Sequence, residues 1–191
     1  MLAVVTTVVA ASGCTFVIRD PGVSAGCGPL RYTVNAHDVS ITDDRLAAID
    51  DAVAEFASLV GREVDPSAPD GATAADNDPG DPLLFDLSWP AENPAGLGFA
   101  EPHVVDGAYD GGWVRLNPVI RHAPVGLIRR LVLHELGHVH GLDDVVDQNE
   151  LMDPTLVASQ WGPGDLAGLA ITHGGGCTGS PLAAAVDALL G

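Results

Sequence analysis

Apolar and polar positions alternate over residues 30–35, where Leu30, Tyr32 and Val34 interleave with Arg31, Thr33 and Asn35. That period of two predicts a half-buried strand. Beyond it the period lengthens: Leu46, Ile49, Val53, Phe56 and Val60 follow three-four spacing and predict an amphipathic helix packed on a sheet. Thr42 is placed to cap it, Asp43 and Asp44 occupy the first turn where carboxylates suit the helix dipole, and Gly61 stops the run. Residues 65–81 carry Pro and Gly breaks with no apolar period and read as a solvated loop. Three shorter apolar runs predict further strands: 83–89, central and ended by Pro90; 97–100, closed by Pro102; and 113–116, closed by Pro118. Pro124 then opens a helix whose first turns hold Leu127, Ile128, Leu131, Val132 and Leu133, too apolar for anything but a buried position. A last helix is expected over 166–172. Strand, helix, strands and helices in this order make an α+β, or mixed α/β, layer without internal repeats.

Composition narrows the class without naming the chemistry. The 191 residues suit one domain, and 47% hydrophobic content excludes a wholly disordered chain. All 8 basic residues are Arg, set against 26 acidic ones for a formal charge of −18. No basic patch for phosphate can be built from them, so nucleic acid is excluded as a partner. Residues 1–13 form an uncharged, mostly apolar run, shorter than the roughly 20 residues a spanning helix needs, and read as an export signal. On that reading 14–26 is a short linker and 27–191 the folded domain. Ala11-Ser12-Gly13-Cys14 resembles a bacterial lipobox, which makes Cys14 a candidate lipidation site and a lipid anchor the expected form of any membrane contact. With Cys14 lipidated or removed, Cys27 and Cys177 remain to close a disulfide. Such a bridge belongs to an oxidising location, extracellular or in the cell envelope, and closing so long a loop would stabilise the fold by roughly 4–5 kcal/mol.

The chemistry enters at His134-Glu135-Leu136-Gly137-His138. Spacing four places both imidazoles on one helical face, able to ligate one metal ion, with Glu135 beside them to take a proton from water. Gly141 lets the helix end in a left-handed turn, so that a carboxylate three residues on, Asp144, can swing back to complete a three-ligand site with one open position. Asp143 is the alternative third ligand. Met152 follows in Glu150-Leu151-Met152-Asp153-Pro154.

This segment resembles the metzincin metalloproteases, whose pattern is HExxHxxGxxH or, in the snapalysin-like group, HExxHxxGxxD, followed by a Met-turn. The run HELGHVHGL with ELMDP nearby looks most like the small matrixin-like metzincins of actinobacteria. The resemblance covers residues 127–154 and extends weakly to 27–35 and 164–169. It implies a metzincin-like domain with a twisted sheet, a backing helix, an active-site helix and a C-terminal helix. It further implies one catalytic zinc ion on His134, His138 and Asp144, Glu135 as general base and Met152 as the Met-turn residue. Residues 153–159 would wall the pocket for the side chain after the cleaved bond, and an extended peptide would pair with the edge strand at Gly98 and Ala100. Asp153-Pro154 stands where matrixins carry Tyr-Pro, so no Tyr is expected to assist the oxyanion. The function implied is a secreted or envelope-anchored zinc endopeptidase, a monomer acting on peptides or proteins. The alternative is a non-catalytic zinc-holding envelope protein, against which the intact Glu135 argues.

The remaining candidates read more simply. His140 points to the opposite side of the helix from His138 and is a surface or packing residue, while His37, His103, His122 and His173 are ordinary. His103 with Asp106 or Asp110 could hold a second zinc, and Asp70, Asp76, Asp78 and Asp81 a calcium ion, but solvated loops explain both groups.

Overall fold

Residues 7–8, 15–36, 40–65, 77–87, 96–174, 177 and 180–184 are described by a computed structural model of the chain. In chain order the elements are β1 (Thr7–Val8), β2 (Val17–Ile18), β3 (Ser24–Ala25), β4 (Leu30–Asn35), α1 (Asp43–Val60), β5 (Val64–Asp65), β6 (Leu83–Asp86), β7 (Gly98–Val105) and β8 (Ala108–Leu116). A 3-10 turn at Pro118–His122, α2 (Val125–Val139), β9 (Leu142–Asp143) and α3 (Pro163–Thr172) follow. The fold is a mixed α/β layer. Its main sheet is mostly parallel: β4 pairs with β5 and β6, β6 with β8, and β3 with the start of β8, while β7 runs antiparallel along β8. Residues of β6 are buried on both faces, as parallel strands under covering helices are. Ile49, Val53 and Phe56 of α1, Ile128, Val132 and Leu136 of α2, and Val114 and Leu116 of β8 meet in the core with no exposed surface.

The helices fall where the apolar periods place them. Thr42 precedes α1 in extended conformation, but its hydroxyl bonds Asp44 and receives Arg45 Nη1 at 2.7 Å instead of capping the helix backbone. Gly61 ends α1 at φ +75°. The strands differ more. β7 runs to Val105 and contains Pro102; among the described residues β7 pairs only with β8, and an edge strand tolerates a missing N–H. The ladder is irregular between Pro102 and Val104. β8 begins five residues before the expected start, because Asp106 and Gly107, both at positive φ, turn β7 into β8 as a tight hairpin. The run expected over 83–89 is a strand through Asp86, and residues 88–89 lie outside the described residues.

Residues 15–26, expected to be a linker, are part of the fold. Phe16 and Ile18 are buried, β2 pairs with β9, and Arg19 N donates to Gly141 O at 2.8 Å. Gly168 of α3 gives the room: a Cβ there would meet Leu142 and Phe16. The disulfide between Cys27 and Cys177 is present. Cys14, His37, Asp70 and Asp76 lie outside the described residues. Among the described residues no helix is long and apolar enough to cross a membrane.

Candidate metal centre

Helix α2 delivers His134 and His138 to the same face, both nearly buried, with their Nε2 atoms 3.1 Å apart. Each ring is fixed from behind. His134 Nδ1 meets the carbonyl of Leu151 at 2.9 Å, and His138 Nδ1 meets that of Leu142 at 3.0 Å. A carbonyl only accepts, so both Nδ1 atoms carry the proton and both Nε2 atoms present lone pairs. Gly141, at φ +91°, turns the chain after α2; its Cα lies against the Tyr109 ring, where no side chain could fit. The turn brings Asp144 back, and its Oδ1 stands 3.3 Å from His134 Nε2 and 3.4 Å from His138 Nε2. Asp143 lines the same cleft but is not part of this group; its Oδ1 accepts the Asp144 N–H at 3.0 Å.

The three sides of this triangle decide what fits it. Ligands about 2.0–2.1 Å from a tetrahedral metal lie about 3.3–3.4 Å from one another. Two lone pairs and a carboxylate at 3.1, 3.3 and 3.4 Å repel one another unless a cation sits among them. Among the described residues these three form the one group of its kind able to hold a metal ion. A proton competes with a metal ion for the same place: burial pulls the His134 imidazolium down, yet the bond to Asp144 and the charge of Glu135 hold it above the ordinary histidine value. Burial pushes Asp144 up, but its bonds to His134 and His138 hold it far below the carboxylate range.

Glu135 projects beside the triangle with 3% exposure, and its Oε2 has no hydrogen-bond partner among the described residues. Burial pushes its carboxyl up, and the two histidines offset this only in part. Gly98, at the start of β7, is what admits it, because a Cβ there would collide with Oε1. Ala100 is buried and its carbonyl faces Arg19 Nη1 at 3.5 Å. Glu135, the three clustered residues, Gly98 and Ala100 all line one cleft of about 490 Å³. Arg19, Pro154 and Leu156 line it as well.

Beneath the helix, Met152 Sδ presses on Gly137, where a Cβ could not fit. The loop that carries Met152 is clamped by two carboxylates from opposite directions. Asp165 accepts Leu151 N at 2.5 Å, Met152 N at 3.3 Å and Gly162 N at 2.9 Å, while Glu150 accepts Gly164 N and Asp165 N, both at 2.9 Å. Burial, with Glu150 adding, pushes Asp165 up to about 6 against those three donors. Neither role is visible in the sequence, although the glycines at 162 and 164, which let Glu150 reach the start of α3, were the available signal.

His140 packs. It is 3% exposed, tilted on Phe56 and stacked on His173 with ring centroids 5.3 Å apart. His173 is also buried, and neither of its ring nitrogens has a partner among the described residues. Burial, then the charge of Arg62, lowers His173 to about 4, and burial holds His140 well below 6.5. Both rings are therefore neutral in the fold but protonate in the unfolded chain near pH 6.5. By linkage, the stability they allow is complete above about pH 6.5 and lost as the pH falls toward about 4. Urea midpoints should drop across that interval, and His173→Phe, which keeps a ring on Phe56 and His140, should make the drop shallower.

No protein-family model matches the chain, and no curated protein matches it at a significant level.

Proposed function

We propose that this chain is an exported, zinc-dependent endopeptidase of metzincin type. The observation that carries the reading is the triangle of His134, His138 and Asp144 with the buried, unpartnered Oε2 of Glu135 beside it in one cleft. A zinc ion held by the triangle would supply a Lewis acid for the scissile carbonyl and a water more acidic than bulk. Glu135 is the proton carrier: it takes the proton of the attacking water and hands it to the leaving amine, and burial raises its proton affinity toward that task. Among the described residues β7 is an edge strand, so an extended peptide can add antiparallel to it by main-chain bonds, with Gly98 setting the scissile bond over Glu135. Antiparallel pairing places residues after that bond toward Leu97 and α2. There an apolar groove of about 210 Å³, lined by Leu97, Val119, Leu127 and Leu131, adjoins the cleft. The disulfide suits an oxidising location.

The test is incubation of the full chain with an unfolded reporter protein. Cleavage should require zinc, stop with a chelator and return when zinc is restored. One zinc bound per chain without cleavage would overturn the catalytic reading and leave the metal-holding one.

A further inference from the structure

The C-terminal end of α2, which carries the metal-binding rings, is braced from outside the cleft. His140 Nδ1 faces the Leu136 carbonyl at 2.9 Å, so it carries the proton and Nε2 is an acceptor. The group aimed at that acceptor is Arg62 Nη1, at 3.4 Å. The other arms of the same guanidinium are held by two consecutive carbonyls, Gly28 O at 2.6 Å from Nε and Pro29 O at 3.0 Å from Nη2. Those carbonyls directly follow Cys27. The chain just before Arg62 is held by the other half of the bridge, since Cys177 N donates to Val60 O at 3.2 Å and Gly61 lies against Cys177 Cβ. The disulfide thus pins both sides of the cradle that aims Arg62 at His140, two residues past His138.

We infer that Arg62 and His140 are positioning residues for the metal centre and that the Cys27–Cys177 disulfide sets them, so that the chain holds its metal tightly only when oxidised. The inference rests on the metal-binding reading of His134, His138 and Asp144. Without Arg62, His140 Nε2 is a buried acceptor with nothing to accept from, and an orphaned buried group is costly enough to shift its surroundings. The last turn of α2 and the chain from Gly141 to Asp144 are what such a shift moves. His138 and Asp144 both lie on that stretch, with His138 Nδ1 held by Leu142 O, and the triangle has little tolerance in its spacing. Coupling of this kind is reciprocal: if the disulfide tightens the metal, the metal protects the disulfide by the same factor. A chain still reduced before export would hold zinc weakly, and oxidation outside would complete the site.

The test measures zinc affinity of the oxidised full chain by competition with a chelating dye, together with the visible spectrum of bound cobalt. Arg62→Met, which keeps the apolar stem, should weaken zinc roughly ten-fold, the low end of the effect of outer groups on metal sites. His140→Phe should do the same although it keeps the ring packing. His140→Gln, with one acceptor for Arg62 and one donor for Leu136, should restore affinity and the cobalt spectrum. Arg31→Ala, which removes an exposed arginine bonded to Gly80 O, should change nothing. In a second arm, dithiothreitol supplies two electrons and two protons, breaking the S–S bond to two thiols while closing its own ring disulfide. The zinc-loaded chain should need a roughly ten-fold higher ratio of reduced to oxidised dithiothreitol than the metal-free chain, matching the affinity factor. Folded Arg62→Met and His140→Phe proteins with zinc affinity within two-fold of the parent would overturn the inference. So would equal weakening by His140→Phe and His140→Gln, which would show that the bond from Arg62 is not what the centre requires. Failure of the parent chain itself to bind zinc would instead sink the metal-centre reading.

Discussion

Replacing Glu135 by Gln is expected to slow peptide hydrolysis by roughly 10²–10⁴-fold, the usual contribution of a positioned general base. The expectation follows from what the substitution keeps and removes. Gln has nearly the same volume and fits against Gly98, where the carboxylate now lies with no room for a side chain. The atoms that could hold a metal ion belong to His134, His138 and Asp144, so on the zinc reading the metal content should stay at one ion per chain. What disappears is the ability to accept a proton. Because that proton moves only on the way to the transition state, kcat should carry the loss and KM should stay near the parent value. Thermal stability should hold or rise, since a buried carboxylate at 3% exposure with an unpartnered oxygen gives way to a neutral amide. Rates on a quenched peptide, measured beside zinc content for both proteins, check this. Equal rates would remove Glu135 from the mechanism.

The parts of the molecule legible in sequence are those whose signal is local. The apolar faces of α1 and α2 have helical periods, and spacing four within α2 fixes which way His134 and His138 point before any tertiary contact is known. Gly141 works the same way, because the left-handed turn it permits is a property of one residue. What escaped depends on pairing between distant segments. β2 and β9 are two residues each and have no period to read, yet their pairing makes 15–26 part of the fold and puts Arg19 in the cleft. The hairpin at Asp106-Gly107 was hidden because charged and proline positions interrupt the alternation on both flanks, which an edge strand permits and a central strand would not. The brace from Arg62 to His140 and the clamp of Asp165 on Leu151 join residues 78 and 14 positions apart. Spacing along the chain carries no trace of such contacts.

The choice between the two adjacent acids gives the second large effect. Asp144→Ala should weaken zinc by more than about 100-fold, beyond the range of groups that only orient ligands, and activity should vanish with the metal. Asp143→Ala should stay within a few fold. Asp144 Oδ1 closes the triangle on both imidazoles, whereas Asp143 only accepts the Asp144 N–H and so tunes its neighbour's backbone. Removing Asp144 leaves two imidazole lone pairs 3.1 Å apart without the carboxylate that closes the triangle, and two neutral ligands do not complete a zinc site. Asp144→His supplies a third imidazole donor and should recover most of the affinity, which separates loss of a ligand from loss of the turn that presents it. Zinc titrations of the three variants against one chelator decide the matter. Stronger weakening by Asp143→Ala than by Asp144→Ala would mean that β9 unpairs from β2 when metal enters, letting the earlier carboxylate take the third position.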